Sequence, residues 1–555
     1  RELKPIMSTN EVELTARFEA YDDEKIFGMG QYQHRQLNKK GATLELAHRN
    51  SQASVPFFVS SRGYGFLWNN PAIGSVTFAT NVTEWHAKRT VKLDYFITAG
   101  DTPAEIEAQY SLATGRTPMM PEYGLGYWQC KLRYRTQEEL LNVAREHKRR
   151  GLPLDAIVID FFHWTLQGDF RFEPRDWPDP DAMVKELHDM GVETVVSVWP
   201  TVDERSRNYP FMAEHGYLVA SDHGCSLNST WMGNTTYFDA THPDAQKFVW
   251  EQCKENYYQK GIRCFWLDEA EPEYGNYDFD NYRYYAGPAL QCSNVYPVGY
   301  AKGFYEGLKE AGEENVMSLI RCAWAGSQKY AVLTWSGDVY SSFRSMREQL
   351  QAGLSMGMAG IPWWTSDIGG FIGGQPVDPA FRELLMRWFA WGCFCPVMQW
   401  HAEPRNGQFF ATGDPEWNND RSPWNLASRW NDPSIAEIAC AFARLRERLR
   451  PMLYEEAKAC VKEGRPMMAH LCLDFPDDEQ ALACRDEYLL GRRLLVAPIV
   501  YPGAEGRKVY LPQGRWKHFF NGKVYEGGRT VELSCPLNEA LVFEREEEET
   551  WNCAT

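Results

Sequence analysis

Apolar runs alternate with amphipathic helical patterns over about 280 residues, most of those runs end on a polar or charged side chain, and the two ends of the chain carry β patterns instead. These three observations predict an α/β fold: a (β/α)8 barrel, the TIM-barrel architecture, with flanking N-terminal and C-terminal β-sandwich domains. A chain of 555 residues exceeds what one hydrophobic core serves, in keeping with several domains.

The first region, residues 1–118, holds "VELTARFEAY", "VPFFVSS", "GYGFLWNN" and "VKLDYFIT". These short alternating or aromatic runs, separated by turn residues, read as a sandwich. From 119 to 465 the rhythm becomes strand, loop, helix. The strand candidates, in order, are "GLGYWQC", "DAIVIDFF", "ETVVSVWP", "CFWLDEA", "NVMSLIRCA", "AVLTWSGD", "GIPWWTSDIGG" and "CPVMQWH". Helical patterns such as "TQEELLNVAREHKRR", "DPDAMVKELHDMG" and "YAKGFYEGLKEAG" lie between them. The stretch at about 201–243 is too long for a tight connection and reads as an excursion inserted after the third strand. From 466 to 555, "DEYLLGRRLLVAPIVY", "RKVYLPQGRWKHFF" and "ALVFERE" return to β patterns, a C-terminal sandwich.

The formal charge of −17 opposes a nucleic-acid partner, whose binding needs a basic footprint. No apolar run reaches the roughly 18 residues of a membrane span. Fourteen cysteines are scattered without metal-ligand spacing, the closest pair being Cys393 and Cys395, so neither a metal nor another cofactor is expected. Cysteines in apolar runs, such as Cys264 and Cys322, behave as small hydrophobes and lean towards a cytoplasmic setting. The sequons at Asn81, Asn228 and Asn234 point the other way, to secretion. Localisation and homo-oligomerisation both stay open.

In "CFWLDEAEPEYG" the carboxylates Asp268, Glu269, Glu271 and Glu273 follow directly on Phe265, Trp266 and Leu267. Desolvation disfavours the charged form there. Such a cluster is either a buried strand running into a solvated acidic turn or a catalytic carboxylate at a strand tip. The other strand ends bear on the choice, because in a barrel they face one mouth. They read Asp160, Trp199, Asp268, Arg321, Asp338, Asp367 and His401. One carboxylate after a strand is commonly a helix N-cap, but four aspartates converging on one mouth exceed that explanation. With an arginine, a histidine and many tryptophans, and with no phosphate loop or metal triad, the set suits carbohydrate chemistry. Cleaving a glycosidic bond needs one ionised and one protonated carboxyl group.

The motifs "WLDEAEPE", "RCAWAGSQKY", "WSGDVYSSF" and "SDIGGF", followed by the His401 segment, resemble glycoside hydrolase family 31, the retaining α-glucosidases and α-xylosidases. The similarity extends from "EKIFGMGQ" at residue 24 through "LLVAPIVYPGAEGRKVYLPQGRW". The family's usual N-terminal sandwich is longer than what precedes Glu24, so the resemblance implies a truncated or atypical start, without the family's further distal β domain. Carried over position by position, it implies Asp268 as nucleophile of a covalent glycosyl-enzyme intermediate and Asp338 as general acid/base. It also implies Arg321 as the permanent charge that keeps a neighbouring carboxylate ionised. Asp160, Asp367 and His401 would hold the hydroxyls of the sugar in the −1 subsite. Trp199, Trp266, Trp335 and Trp364, with Phe161 and Phe162, complete the expected substrate-binding set.

One departure is Glu269-Ala270-Glu271 after the nucleophile, where many family α-glucosidases have Met-Asn-Glu; it leaves Asp268 in place and bears on the sugar. The expected activity is that of an exo-acting α-glycosidase on non-reducing ends of oligosaccharides. Trp266 leads to α-glucosidase as the main reading. Phe161 and Phe162, where glucosidases often have Tyr-Met, speak for α-xylosidase, and α-transglucosylase is a further alternative. A non-catalytic sugar-binding homologue is the alternative of another class; the presence of both Asp268 and Asp338 argues against it.

Overall fold

The computed structural model describes residues 1–224, 228–275, 277–374, 378–402 and 422–546. Its first part is a pair of antiparallel sheets. One has five strands, in the order Glu2–Pro5, Val12–Glu19, Val82–Thr90, Gly74–Phe78 and Thr43–Leu46; the other has four, Ile26–Gln31, Ala53–Ser60, Tyr64–Trp68 and Tyr95–Ala99. Between them lie Phe58, Phe66, Trp68, Phe78 and Trp85, with the Trp68 and Trp85 rings stacked 5.3 Å apart. Strand Ala53–Ser60 is buried on both faces. Its alternation sends Phe58 into the sandwich, while Val55, Phe57 and Val59 join the barrel's core. A strand covered on both sides reads as an unbroken apolar run.

Residues Pro103–Thr114 form a helix inside the segment read from sequence as β-patterned. Thr102 caps it, its hydroxyl accepting from the Glu105 N–H at 3.2 Å, while the Glu105 carboxylate accepts from the Asp101 N–H at 2.8 Å. That near-reciprocal pairing is close to a capping box. The buried stripe is Ile106, Glu107, Tyr110 and Ser111, half of it polar, so no apolar periodicity announced it.

Eight parallel strands make the barrel: β1 (Tyr127–Gln129), β2 (Ala156–Ile159), β3 (Glu193–Val198), β4 (Cys264–Leu267), β5 (Ser318–Ile320), β6 (Val332–Trp335), β7 (Trp364–Thr365) and β8 (Met398–Trp400). Each falls within one of the eight runs picked out in the sequence. They hydrogen-bond in the order β7-β6-β5-β4-β3-β2-β1-β8. Between β7 and β8 the Thr365 hydroxyl donates to the Val397 carbonyl at 2.9 Å, and the Ile368 N–H to the Gln399 carbonyl at 3.2 Å. The barrel is thus nearly closed.

The excursion after β3 pairs Thr201–Asp203 with Thr235–Tyr237, and Ala220–Ser221 pairs with Tyr282–Tyr284 from the connection after β4. These short ladders fold the two longest connections together over the barrel mouth. The helix Phe343–Gly357 is buried around most of its circumference, because the sandwich strand Ile26–Gln31 packs on it. Past the barrel, helix Pro433–Glu463 fixes the far end of the barrel through Arg446, whose guanidinium donates to the carbonyls of Leu125, Cys393, Cys395 and Pro396. A six-stranded antiparallel sheet and a two-stranded ribbon, Gly506–Leu511 with Arg529–Ser534, complete the C-terminal domain. Among the described residues no helix is long and apolar enough to cross a membrane.

Candidate active site

Strand ends of a parallel barrel project side chains into a shared opening. Here Asp160 directly follows β2, Trp199 follows β3, Asp268 follows β4, Arg321 follows β5 and His401 follows β8. Asp338 stands three residues past β6. All six, with Phe161 and Trp266, line one cavity of about 330 Å3. Four other sequence candidates are absent from its lining. Asp367 is buried beside it and accepts from the Gln399 amide at 3.1 Å. Trp335 backs Trp266 edge-on at 5.4 Å. Trp364 donates its ring N–H to Gln31 of the sandwich at 3.0 Å. Phe162 packs on Phe161 at 4.8 Å.

Arg321 organises the acidic side. Its Nη1 lies 3.3 Å from Asp268 and 3.6 Å from Asp338, its Nε lies 2.8 Å from Glu271, and its Nη2 bonds Glu273. One cation cannot neutralise so many carboxylates. Burial pushes Asp268 up to about 6, with Arg321 opposing the rise and Asp160 adding to it. Asp338 is likewise pushed up to about 6 by burial, opposed by Arg321 and reinforced by the Asp268 charge. Burial raises Glu271 to about 8, and burial, with help from Glu273, lifts Glu269 well above its ordinary value. The two aspartates differ in depth: the Asp268 side chain is 10% exposed and that of Asp338 is 29% exposed. Asp268 also accepts from the Glu269 N–H at 2.8 Å. A recessed, backbone-held carboxylate suits a nucleophile. One nearer the opening suits a group that meets a leaving oxygen and then water.

On the opposite wall, Asp160 accepts from the Phe161 N–H at 2.7 Å and faces His401 Nε2 at 3.2 Å. Burial works against the imidazolium, yet Cys130, Asp160 and Asp367 raise the His401 pKa well above its usual value. Cys130, Asp160 and His401 also bring donor atoms within 4.8 Å of one another; the His401–Asp160 ion pair satisfies both charged members without a metal. Cys484, Asp486 and Glu487 form a second such group, and Arg507 pairs with both of its carboxylates at 2.7 and 3.2 Å.

Several lining residues lie outside the expected substrate-binding set, although Glu269 and Glu273 belong to the acidic cluster noted in the sequence. Trp231 and Tyr237 come from the excursion after β3, Glu269, Glu273, Tyr274 and Tyr277 from the connection after β4, Leu132 from past β1 and Phe371 from past β7. Phe161, Trp199 and Trp231 form an aromatic column, with Phe161 to Trp199 at 5.1 Å and Trp199 to Trp231 at 5.4 Å. The acidic connection "EPEY" was the one available signal; nothing local in the sequence marks Trp231 as facing this mouth.

Residues 117–456 match the family model of the glycosyl hydrolases family 31 TIM-barrel domain, and residues 464–548 that of the family's C-terminal domain. A protein of Pseudescherichia vulneris described as an uncharacterized family 31 glucosidase is 60% identical over 73% of this chain and 77% of its own length. An α-xylosidase of Saccharolobus solfataricus is 32% identical over 97% of this chain and 71% of its own. The crystal structure of a GH31 α-xylosidase from a soil metagenome, complexed with xylose, superposes with a TM-score of 0.94 at 54% identity, covering 99% of this chain and 81% of that one. The chain belongs to glycoside hydrolase family 31 and is a retaining α-glycosidase.

Proposed function

We propose that this family 31 glycosidase is an exo-acting α-xylosidase, which removes α-xylosyl residues from the non-reducing ends of oligosaccharides. The observation that carries the reading is the wall beside Asp160. Phe161 lines the cavity there, stacked on Trp199, with Phe162 packed against both rings at 4.8 and 6.0 Å. In this reading Asp160 holds the sugar hydroxyls and the C5 side of the ring lies against this wall. Xylose carries only hydrogen there. The hydroxymethyl group of glucose would bring a hydroxyl against ring carbon, stripped of water and without a partner. Trp266, which favoured glucose in the sequence, also lines the cavity, 3% exposed and held edge-on against Trp335 and His401. Two of the relatives described above are α-xylosidases, which supports the same reading.

In the first step the Asp268 carboxylate attacks the anomeric carbon while Asp338 gives its proton to the departing oxygen. The bond to the leaving sugar breaks as the ester to Asp268 forms. Arg321 keeps Asp268 ionised for this attack. Esterification removes the Asp268 charge, one of the causes that raise Asp338, so the Asp338 pKa falls and the same group becomes a base. It then takes a proton from water, whose oxygen displaces Asp268 and restores the α configuration.

Paired kcat/KM values for an aryl α-xyloside and the matching α-glucoside test the assignment. The xyloside should lead by ~10–200-fold, the range that one small substituent commands in such a pocket. A faster glucoside would overturn it in favour of an α-glucosidase, the second reading, for which the presence of Trp266 in the lining speaks.

A further inference from the structure

A loop of the N-terminal sandwich reaches the acid/base of the barrel. Residues Arg49 and Gln52 close the loop by exchanging backbone hydrogen bonds of 3.0 and 2.8 Å. At its tip Asn50 meets Asp338 twice: the Asp338 N–H donates to Asn50 Oδ1 at 3.1 Å, and Asn50 Nδ2 donates to Asp338 Oδ2 at 2.6 Å. The orientation of the amide follows from its neighbours. Oδ1 also accepts from the Ser51 hydroxyl at 3.2 Å, and Nδ2 also donates to Glu273 at 3.4 Å, so exchanging O and N would set donors against donors. The loop itself is tightly held. The Asn50 N–H donates to the Tyr277 hydroxyl at 2.9 Å, Gln33 donates to the Ser51 carbonyl at 2.6 Å, and Arg49 is paired with Glu45 while lying over the Tyr277 ring at 4.8 Å. Gly337, immediately before Asp338, has φ +73°, and a Cβ there would come within 2.6 Å of the Ser51 backbone. Loop and catalytic strand end are in direct backbone contact.

We propose that Asn50 is a positioning residue for the acid/base: it engages one carboxylate oxygen of Asp338 and leaves the other to carry the proton towards the leaving group. Asn50 is not part of the cavity lining, so it acts through Asp338. The inference rests on the assignment of Asp338 as acid/base given above. A carboxylate free to rotate spreads its proton over orientations that miss the leaving oxygen; one oxygen bonded to a fixed amide removes that freedom. The same donated N–H stabilises the anion. It works with Arg321 against the raising influence of burial, Asp268 and Glu273.

The test compares the whole enzyme with N50A and N50D on two α-xylosides, an activated one such as the dinitrophenyl xyloside and an oligosaccharide that needs protonation to leave. General acid assistance contributes ~10²–10⁴-fold, and N50A should lose ~10–100-fold of it in kcat/KM on the oligosaccharide, while kcat/KM of the activated substrate, which reports the first step alone, changes less than ~3-fold. Removing a donor to the anion raises the Asp338 pKa, so the basic limb of kcat/KM against pH should move upwards. N50D keeps the shape of the side chain but replaces the donor with a like charge, and should lose at least as much as N50A. Turnover of the activated substrate reports in each case that the site has folded. Equal losses on both substrates, an unmoved basic limb, or an N50D enzyme that works like the parent would each overturn the proposal. Failure of the acid/base assignment shows separately, as the absence of leaving-group dependence in D338A.

Discussion

Glu271 and Arg321 meet at 2.8 Å with side chains 0% and 3% exposed. Removing one partner of such a buried pair ordinarily leaves an uncompensated charge, but Glu271 is a special case, because burial raises it to about 8 against the opposing Arg321. In the unfolded chain its pKa returns to the ordinary value near 4.5. Between these values the native state holds a proton that the unfolded state has lost, so this group's contribution to stability is full at low pH and is lost as pH rises towards 8. Glu271→Gln mimics the protonated form. Its melting temperature relative to the parent should climb between pH 5 and pH 8, and a difference that stays constant over that range would contradict the raised pKa.

The position of Asp268, recessed and held by the Glu269 N–H, sets the next expectation. Asp268→Ala should lose nearly all turnover and keep the parent's circular dichroism spectrum. A mechanism-based fluoroglycosyl inhibitor should attach to Asp268 in the intact enzyme, as peptide mapping would reveal. Attachment to Glu269 or Glu271, two carboxyls that burial leaves protonated and poorly nucleophilic, would sink the assignment.

Asp268 and Asp338 are both pushed up to about 6 by burial and each is raised or held by the same neighbours. They should titrate as a pair, with apparent values on either side of 6 that belong to neither alone. The kcat/KM profile should therefore be a bell centred near pH 6, falling on the acid side as the pair takes up a second proton and on the basic side as it loses the one it shares. Asp338→Ala should abolish the basic limb and hurt oligosaccharides far more than activated aryl glycosides. A retaining pair needs carboxyl groups about 5–5.5 Å apart, and proton NMR of the first-formed product should find the α anomer. Initial release of the β anomer would rule out Asp268 and Asp338 as that pair.

The aromatic wall makes a specificity prediction. Phe161→Leu opens space beside Asp160 without removing all contact with Trp199. The ratio of α-xyloside to α-glucoside kcat/KM should fall by ~10-fold or more, chiefly through a gain on the glucoside. A loss on both sugars in equal proportion would mean that Phe161 supports the site without reading C5.

How much of this could be read from the chain follows from where each signal sits. The barrel strands were legible because parallel strands buried on both faces become apolar runs, and the catalytic candidates because most of those runs stop at a polar residue. Inside a run the sequence does not say which tryptophan meets the cavity. Trp266 does, whereas Trp335 lies behind it and Trp364 turns to Gln31. Helix Pro103–Thr114 was hidden because Glu107 and Ser111 share its buried stripe, although Thr102 and Glu105 carried its start signal. Trp231 and Asn50 were beyond reach, since each arrives from a separate excursion and only the assembled mouth gives it a neighbour.

The backbone contact between Gly337 and Ser51 allows the loop and the acid/base to be probed without touching Asn50. Gly337→Ala meets two obstacles: a left-handed φ of +73°, and a Cβ 2.6 Å from Ser51 Cα and N. Neither is the movable end of a side chain, so the loop must retreat, and with it the 2.6 Å bond from Asn50 to Asp338. G337A should therefore reproduce the N50A pattern, losing kcat/KM on oligosaccharides while kcat/KM on activated aryl xylosides stays almost as before. The left-handed conformation adds a cost of ~1 kcal/mol to the fold, which a lower melting temperature would register separately. Because both substitutions break one link, their effects on the leaving-group dependence should not add. The double variant N50A/G337A should lose little more than N50A alone. Full additivity in kcat/KM on the oligosaccharide would mean that Gly337 and Asn50 reach Asp338 by different routes.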